Sequence, residues 1–160
     1  MSTRTNKRGK KRIKEMHFID TCVFLESLIK KKSYQKADCE RYLTRINKIY
    51  RGVISIPVLG EYMETALEKE YTDSLDVFEF LFEFVKTAKV RIISVKSSTL
   101  EIFHEIENID SKIEFMDGLH LACAIENNIK TFVTIDHDLL GNQKIEEEFK
   151  IKIRHPKELF

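Results

Sequence analysis

Five short apolar runs, MHFID at 16–20, VISI at 53–56, VRIISV at 90–95, TFVTI at 131–135 and FKIKI at 149–153, are separated by longer stretches with helical spacing. Short strands alternating with helical patterns are the sign of strand–helix–strand units, in which each return to a parallel neighbour needs a crossover. The expected fold is therefore α/β, a three-layer α/β/α sandwich around a central, mostly parallel sheet. Helices are expected at about 21–31, 34–50, 58–70, 74–87, 98–109, 116–127 and 137–147, with Pro57 suited to a first helical turn.

A chain of 160 residues with 42% hydrophobic residues is long and apolar enough for one domain with a real core, expected over residues 16–160. No apolar run reaches the ~18 residues that would span a bilayer, so no membrane partner is expected. The net charge of +1 excludes a protein that coats nucleic acid by charge alone, so any such site has to be local. One local excess is visible in residues 1–15, where Arg4, Lys7, Arg8, Lys10, Lys11, Arg12 and Lys14 face a single acid, Glu15. This reads as a flexible basic arm, either solvated or touching phosphate, and initiation at Met16 would make it an extension. Cys22, Cys39 and Cys123 have neither disulfide nor zinc-finger spacing, and no apolar segment follows the early positive charges. A reduced, cytoplasmic protein is expected.

The helix expected at 74–87 is apolar around most of its circumference. Leu75, Phe78, Phe82 and Val85 form one stripe, and Val77, Phe80, Leu81 and Phe84 a second beside it. Such a helix is either deep in a core or covered by another chain, which makes a homodimer through 74–87 an expectation.

Four acids fall where strands end or where the next helices begin. Asp20 closes the first strand, Glu61 lies one turn into the helix after the second, Asp117 starts the helix of MDGLHLACA, and Asp136 closes the fourth strand, with Asp138 two residues on. In a parallel sheet all are placed near one edge, the edge at which open α/β folds bind ligands. Each acid alone has an ordinary role as a helix cap. Together they do not, because two unit charges ~5 Å apart repel by roughly 3 kcal/mol at an effective dielectric of ~20. A cluster of four needs protons or a cation, and an oxygen-only set suits Mg²⁺ or Mn²⁺.

FIDTCVFLE at 18–26, IPVLGE at 56–61, FMDGLHLACA at 115–124 and TIDHDLL at 134–140 resemble, in order, the four acidic motifs of the PIN-domain family. The resemblance implies a metal-dependent ribonuclease, as in the toxins of VapC-type toxin–antitoxin modules, with RNA as substrate and an antitoxin protein as a partner. It implies Asp20, Glu61, Asp117 and Asp136 as catalytic, metal-binding acids and Asp138 as an auxiliary metal-binding carboxylate. Thr134 and Thr21 would support them by hydrogen bonding. Cys22 departs from the pattern, standing where the family often has Asn.

His120, three residues after Asp117, reads as a helix histidine packed beside Leu119 and Cys123, and His137 as a solvent-facing loop residue. Cys123, in so apolar a helix, reads as core. Two readings from different classes stand against the nuclease. One is a catalytically weak RNA-binding or protein-binding module of the same fold. The other is a phosphotransferase using Asp20, disfavoured because the residue two further on is Cys22 and not Asp.

Overall fold

The computed structural model describes residues 14–69 and 74–160. The elements run β1 (Met16–Ile19), α1 (Thr21–Leu28), α2 (Tyr34–Leu43), β2 (Arg51–Ser55), α3 (Ile56–Glu68), α4 (Ser74–Thr87), β3 (Arg91–Ile93), α5 (Ser97–Ile109), α6 (Phe115–Glu126), β4 (Thr131–Val133), α7 (Gln143–Phe149) and β5 (Lys152–Arg154), closed by a 3-10 turn at Pro156–Leu159. The strands form one sheet in the order β3-β2-β1-β4-β5, and every neighbouring pair is parallel. Sheet residues Phe18, Ile19, Val53, Ile54, Phe132 and Val133 are buried on both faces, as a parallel sheet between helical layers requires. Helix α1 packs on α2 and α3, and α3 on α4, whereas α5 packs on α6 and α7. With right-handed crossovers these groups cover opposite faces of the sheet.

From β1 the chain steps outward to β2 and β3, then returns through α5 and α6 to lay β4 on the other side of β1. Strand order reverses between β1 and β4, and a reversal of this kind opens a crevice at the carboxyl ends of the two strands. Asp20 directly follows β1, and Asp136 stands three residues beyond β4.

Several elements depart from the periodicity. The helix expected over 34–50 ends at Leu43 with Thr44 as its cap, the Arg45 and Ile46 amides turning to the carbonyls three residues back, before Asn47 becomes left-handed (φ 65°) and Ile46 bridges Tyr50. β2 consequently begins at Arg51 rather than 53. Ser55 caps α3, which starts two residues early, at Ile56. The helix expected at 137–147 gives way to turns, with Gly141 at φ 79°, and α7 begins only after its cap, Asn142. Lys150, left-handed at φ 50°, ends α7 and delays β5 to 152–154. Of the basic arm expected at 1–15, residues 1–13 lie outside the described residues. Glu15 is already tied to the sheet, its carbonyl accepting from the Arg51 amide at 2.8 Å.

Candidate active site

Asp20 ends β1 and caps α1, and its carboxylate is almost wholly buried. Oδ1 accepts from the Thr21 amide (2.8 Å) and bonds His120 Nδ1 (3.0 Å), while Oδ2 accepts from Thr134 Oγ1 (2.7 Å) and the Cys22 thiol (3.2 Å). Burial alone would raise its pKa, but the hydrogen bond and charge of His120, with the Thr134 and Cys22 hydrogen bonds, hold it below the ordinary carboxylate value. Four partners use about all the lone pairs a carboxylate offers. One is replaceable, because Cys22 has a single thiol proton and Thr134 Oγ1 stands at the same 3.2 Å from its sulfur. Burial, and then the Asp20 charge, push the Cys22 thiol far up, so it stays protonated as a donor.

Beside Asp20 lies a cleft of ≈ 270 Å³ that Glu61, Asp117 and Asp136 also line. The structure thus brings together the four acids singled out in the sequence, Asp20 and Asp136 from just beyond two strands, Asp117 from the first turn of α6 and Glu61 from the second turn of α3. Asp117 is half-buried, and desolvation followed by the charges of Asp20 and Asp136 pushes its pKa up to about 7, with Glu61 adding to the rise and His120 opposing it. Asp136 is held by its own turn: its amide donates to Thr134 Oγ1 (3.0 Å) and its Oδ1 accepts from the Asp138 amide (2.8 Å). Asp138 itself is exposed and is not among the cleft residues, so its contact with the site is through its backbone. Thr21 lines the cleft with a buried hydroxyl that has no hydrogen-bond partner, whereas Thr134 sits behind Asp20.

The sequence reading missed three titratable residues at the site, two that line the cleft and His120, which is not among its lining residues. His120 is fully buried, but its ring reaches the acids: beyond the bond to Asp20, its Nε2 faces Glu61 Oε2 at 3.7 Å. The available signal was its spacing from Asp117, which puts both residues on one face of α6. Glu114, the residue before α6, and Lys69, the residue after α3, line the cleft, and no local pattern marks either. Cys123 is buried, as expected for a core residue, and His137 is exposed.

The model of the PIN domain family matches residues 17–144, a span that includes all four motifs. Among solved structures, the chain is similar to FitAcB from Neisseria gonorrhoeae, with a TM-score of 0.64 and 18% identity over 88% of this chain and 98% of that one. It is also similar to VapC20 from Mycobacterium tuberculosis, a sarcin–ricin loop cleaving toxin, with a TM-score of 0.60 and 18% identity over 76% of this chain and 91% of that one. A third is VapBC2 from Rickettsia felis bound to a promoter DNA fragment, with a TM-score of 0.58 and 18% identity over 88% and 98%. Comparison with curated proteins returns no match.

Proposed function

The chain belongs to the PIN domain family, and we propose that it is a metal-dependent ribonuclease acting as the toxin of a toxin–antitoxin module. The observation that carries this reading is the convergence of Asp20, Glu61, Asp117 and Asp136 on one cleft at the strand reversal. The fit to a divalent cation rests on the donor set and on Asp117, which desolvation and then the charges of Asp20 and Asp136 push up to about 7 and which a cation would relieve. Asp20 and Asp136 are the proposed direct ligands, held in place by Thr134 and by the Asp138 amide. Glu61 and Asp117 complete the set or orient the attacking water. Bound Mg²⁺ or Mn²⁺ supplies charge neutralisation at the phosphodiester and a lowered pKa for water at neutral pH. Lys69, lining the same cleft, contributes a cation for the RNA backbone.

An antitoxin partner is proposed by likeness to the VapBC2 assembly from Rickettsia felis. A homodimer through α4 is proposed from its surface, on which Leu75, Phe78 and Phe82 are exposed while Val77 and Leu81 are buried. The proposed compartment is the cytoplasm, supported by three free cysteines. No helix among the described residues is long and apolar enough to cross a membrane.

Incubation of a mixed RNA pool with Mg²⁺, Mn²⁺ or EDTA tests the activity, with Asp20→Asn prepared identically. Cleavage that needs both the metal and Asp20 is expected. Undiminished cleavage by the variant contradicts the mechanism. A folded, metal-binding protein that cuts nothing favours the binding-module alternative, for which the exposed α4 face is the observation in hand.

A further inference from the structure

We infer that the corner between α1 and α2 is a second, exposed binding surface for single-stranded RNA, on which Lys30, Lys31 and Lys32 hold phosphates and the Tyr34 ring stacks on a base. This rests on the ribonuclease reading of the cleft and deepens it, by naming where the substrate strand is gripped.

The cleft itself is a poor place to hold a polyanion. Asp20, Glu61, Glu114, Asp117 and Asp136 line it against one lysine, Lys69, and a divalent cation offsets only part of that negative charge. Most of the affinity for a phosphate backbone therefore has to come from cations elsewhere on the surface. Helix α1 connects the two places. Asp20 caps its first turn, its 8 residues span about 12 Å, and the chain that leaves it carries Lys30, Lys31 and Lys32 in succession. A strand of a few nucleotides lying along α1 reaches from the acids to the lysines.

All three lysines are exposed, and residues 30–37 contain no acid. Cations are also favoured at a helix C-terminus, but at the end of α1 that place is taken: Lys36 Nζ bonds the Ile29 carbonyl and pairs with Glu40 at 3.7 Å. Glu26, the acid of α1, accepts from Ser33 Oγ at 3.0 Å. Among the described residues no ion pair engages Lys30, Lys31 or Lys32. Tyr34 stands next to them and is 94% exposed, whereas Tyr42 and Tyr62 are buried, Tyr50 is half-buried, and each of those three hydroxyls has a hydrogen-bond partner. A ring left almost wholly in water adds nothing to the core, and its faces are open to a planar ligand. Beside it, Lys32, Ser33, Tyr34 and Ala37 line a shallow depression of ≈ 400 Å³, roomy enough for a base. Cations that track a backbone next to an aromatic face hold single strands with little sequence preference, because every base has a face to stack. A basic stretch can also meet an anionic membrane, but Tyr34 is the one large apolar side chain exposed between residues 20 and 45, too little surface for an anchor.

The test uses the full chain in EDTA, which blocks metal-dependent cleavage, and reads the fluorescence anisotropy of a fluorescein-labelled single-stranded RNA of mixed sequence at about 0.05 to 0.2 M salt. Lys30→Gln, Lys31→Gln and Lys32→Gln together are expected to weaken binding at least ~tenfold and to flatten the slope of log affinity against log salt by about 2, the value for three phosphate contacts to a single strand. Tyr34→Ala is expected to weaken binding about fivefold or more with the slope unchanged, and Tyr34→Phe to keep wild-type binding. Lys130→Gln, Lys150→Gln and Lys152→Gln together remove the same charge from exposed positions at the opposite edge of the sheet, and are expected to change affinity less than about threefold. Unchanged binding in the Lys30–Lys32 variant or in Tyr34→Ala, or an equal loss in the control variant, overturns the inference. So does a wild type that does not bind this RNA, whether or not it binds vesicles of phosphatidylcholine and phosphatidylserine. Each of those results leaves the nuclease reading to the cleavage assay with Mn²⁺. The expected losses in a protein that cuts no RNA with Mn²⁺ establish this surface and overturn the nuclease reading.

Discussion

Asp117→Asn removes one charge from the cleft with almost no change of shape, and in protein stripped of divalent ions it is expected to raise stability at about pH 8. The wild-type carboxyl titrates near 3.8 when unperturbed and at about 7 in the fold, because desolvation and then Asp20 and Asp136 disfavour its charged form. Below the unfolded value, folded and unfolded chains are both protonated and no penalty exists. The penalty grows as pH rises from about 4 and is fully present above the folded value of about 7. Three pKa units correspond to a ceiling of about 4 kcal/mol. Asp117 is only half-buried, and solvent screening reduces that to about 1–2 kcal/mol. For a domain of this length each kcal/mol moves Tm by about 2–4 °C, so the asparagine variant is expected to melt about 2–8 °C higher near pH 8, with a gain that shrinks toward pH 5. Thermal unfolding in EDTA across that range is the assay. Equal melting of the two proteins near pH 8, or an offset that does not change with pH, refutes the argument that unneutralised charge strains this cleft.

Three further outcomes are expected. Gly118→Ala puts a methyl 2.8 Å from Phe103 Cε2, where α6 crosses α5, and should cost about 1–3 kcal/mol by chemical denaturation, with an unchanged midpoint counting against the packing described. Phe78→Ser with Phe82→Ser removes two exposed rings stacked at 4.2 Å, and should convert a sedimenting dimer to a monomer, whereas a wild type already monomeric at micromolar concentration removes the dimer proposal. Cys22, whose thiol is pushed up by burial and by Asp20, should resist alkylation in the native protein at about pH 8 and react on unfolding, and rapid native labelling would contradict the hydrogen-bonded thiol.

The parallel sheet and its helices were legible because strand runs such as TFVTI are buried on both faces and so carry no charged residue. The convergence of the acids followed from topology, since a residue that closes a parallel strand stands at the same edge as one that opens the next helix. Boundaries set by single residues were not legible. Lys150 ends α7 by adopting a left-handed conformation that nothing in the apolar periodicity announces, and the Asp136 side chain captures the Asp138 amide in a turn that competes with helix. His120 was hidden for another reason. Its helix is apolar enough to make a core histidine the natural reading, and its partner Asp20 lies 100 residues away in the chain.

The most direct measurement of the central claim is the cleavage rate of a single-stranded fluorescent RNA by wild type and by Asp136→Asn, each verified as folded, with EDTA and then with Mn²⁺ restored. Asp136 is suited to this because its side chain accepts only the Asp138 amide among the hydrogen bonds described, a bond that asparagine keeps. The account predicts cleavage that disappears with EDTA, returns with Mn²⁺, and falls at least ~100-fold in the variant. Cleavage that survives EDTA, or that the variant performs at the wild-type rate, contradicts it.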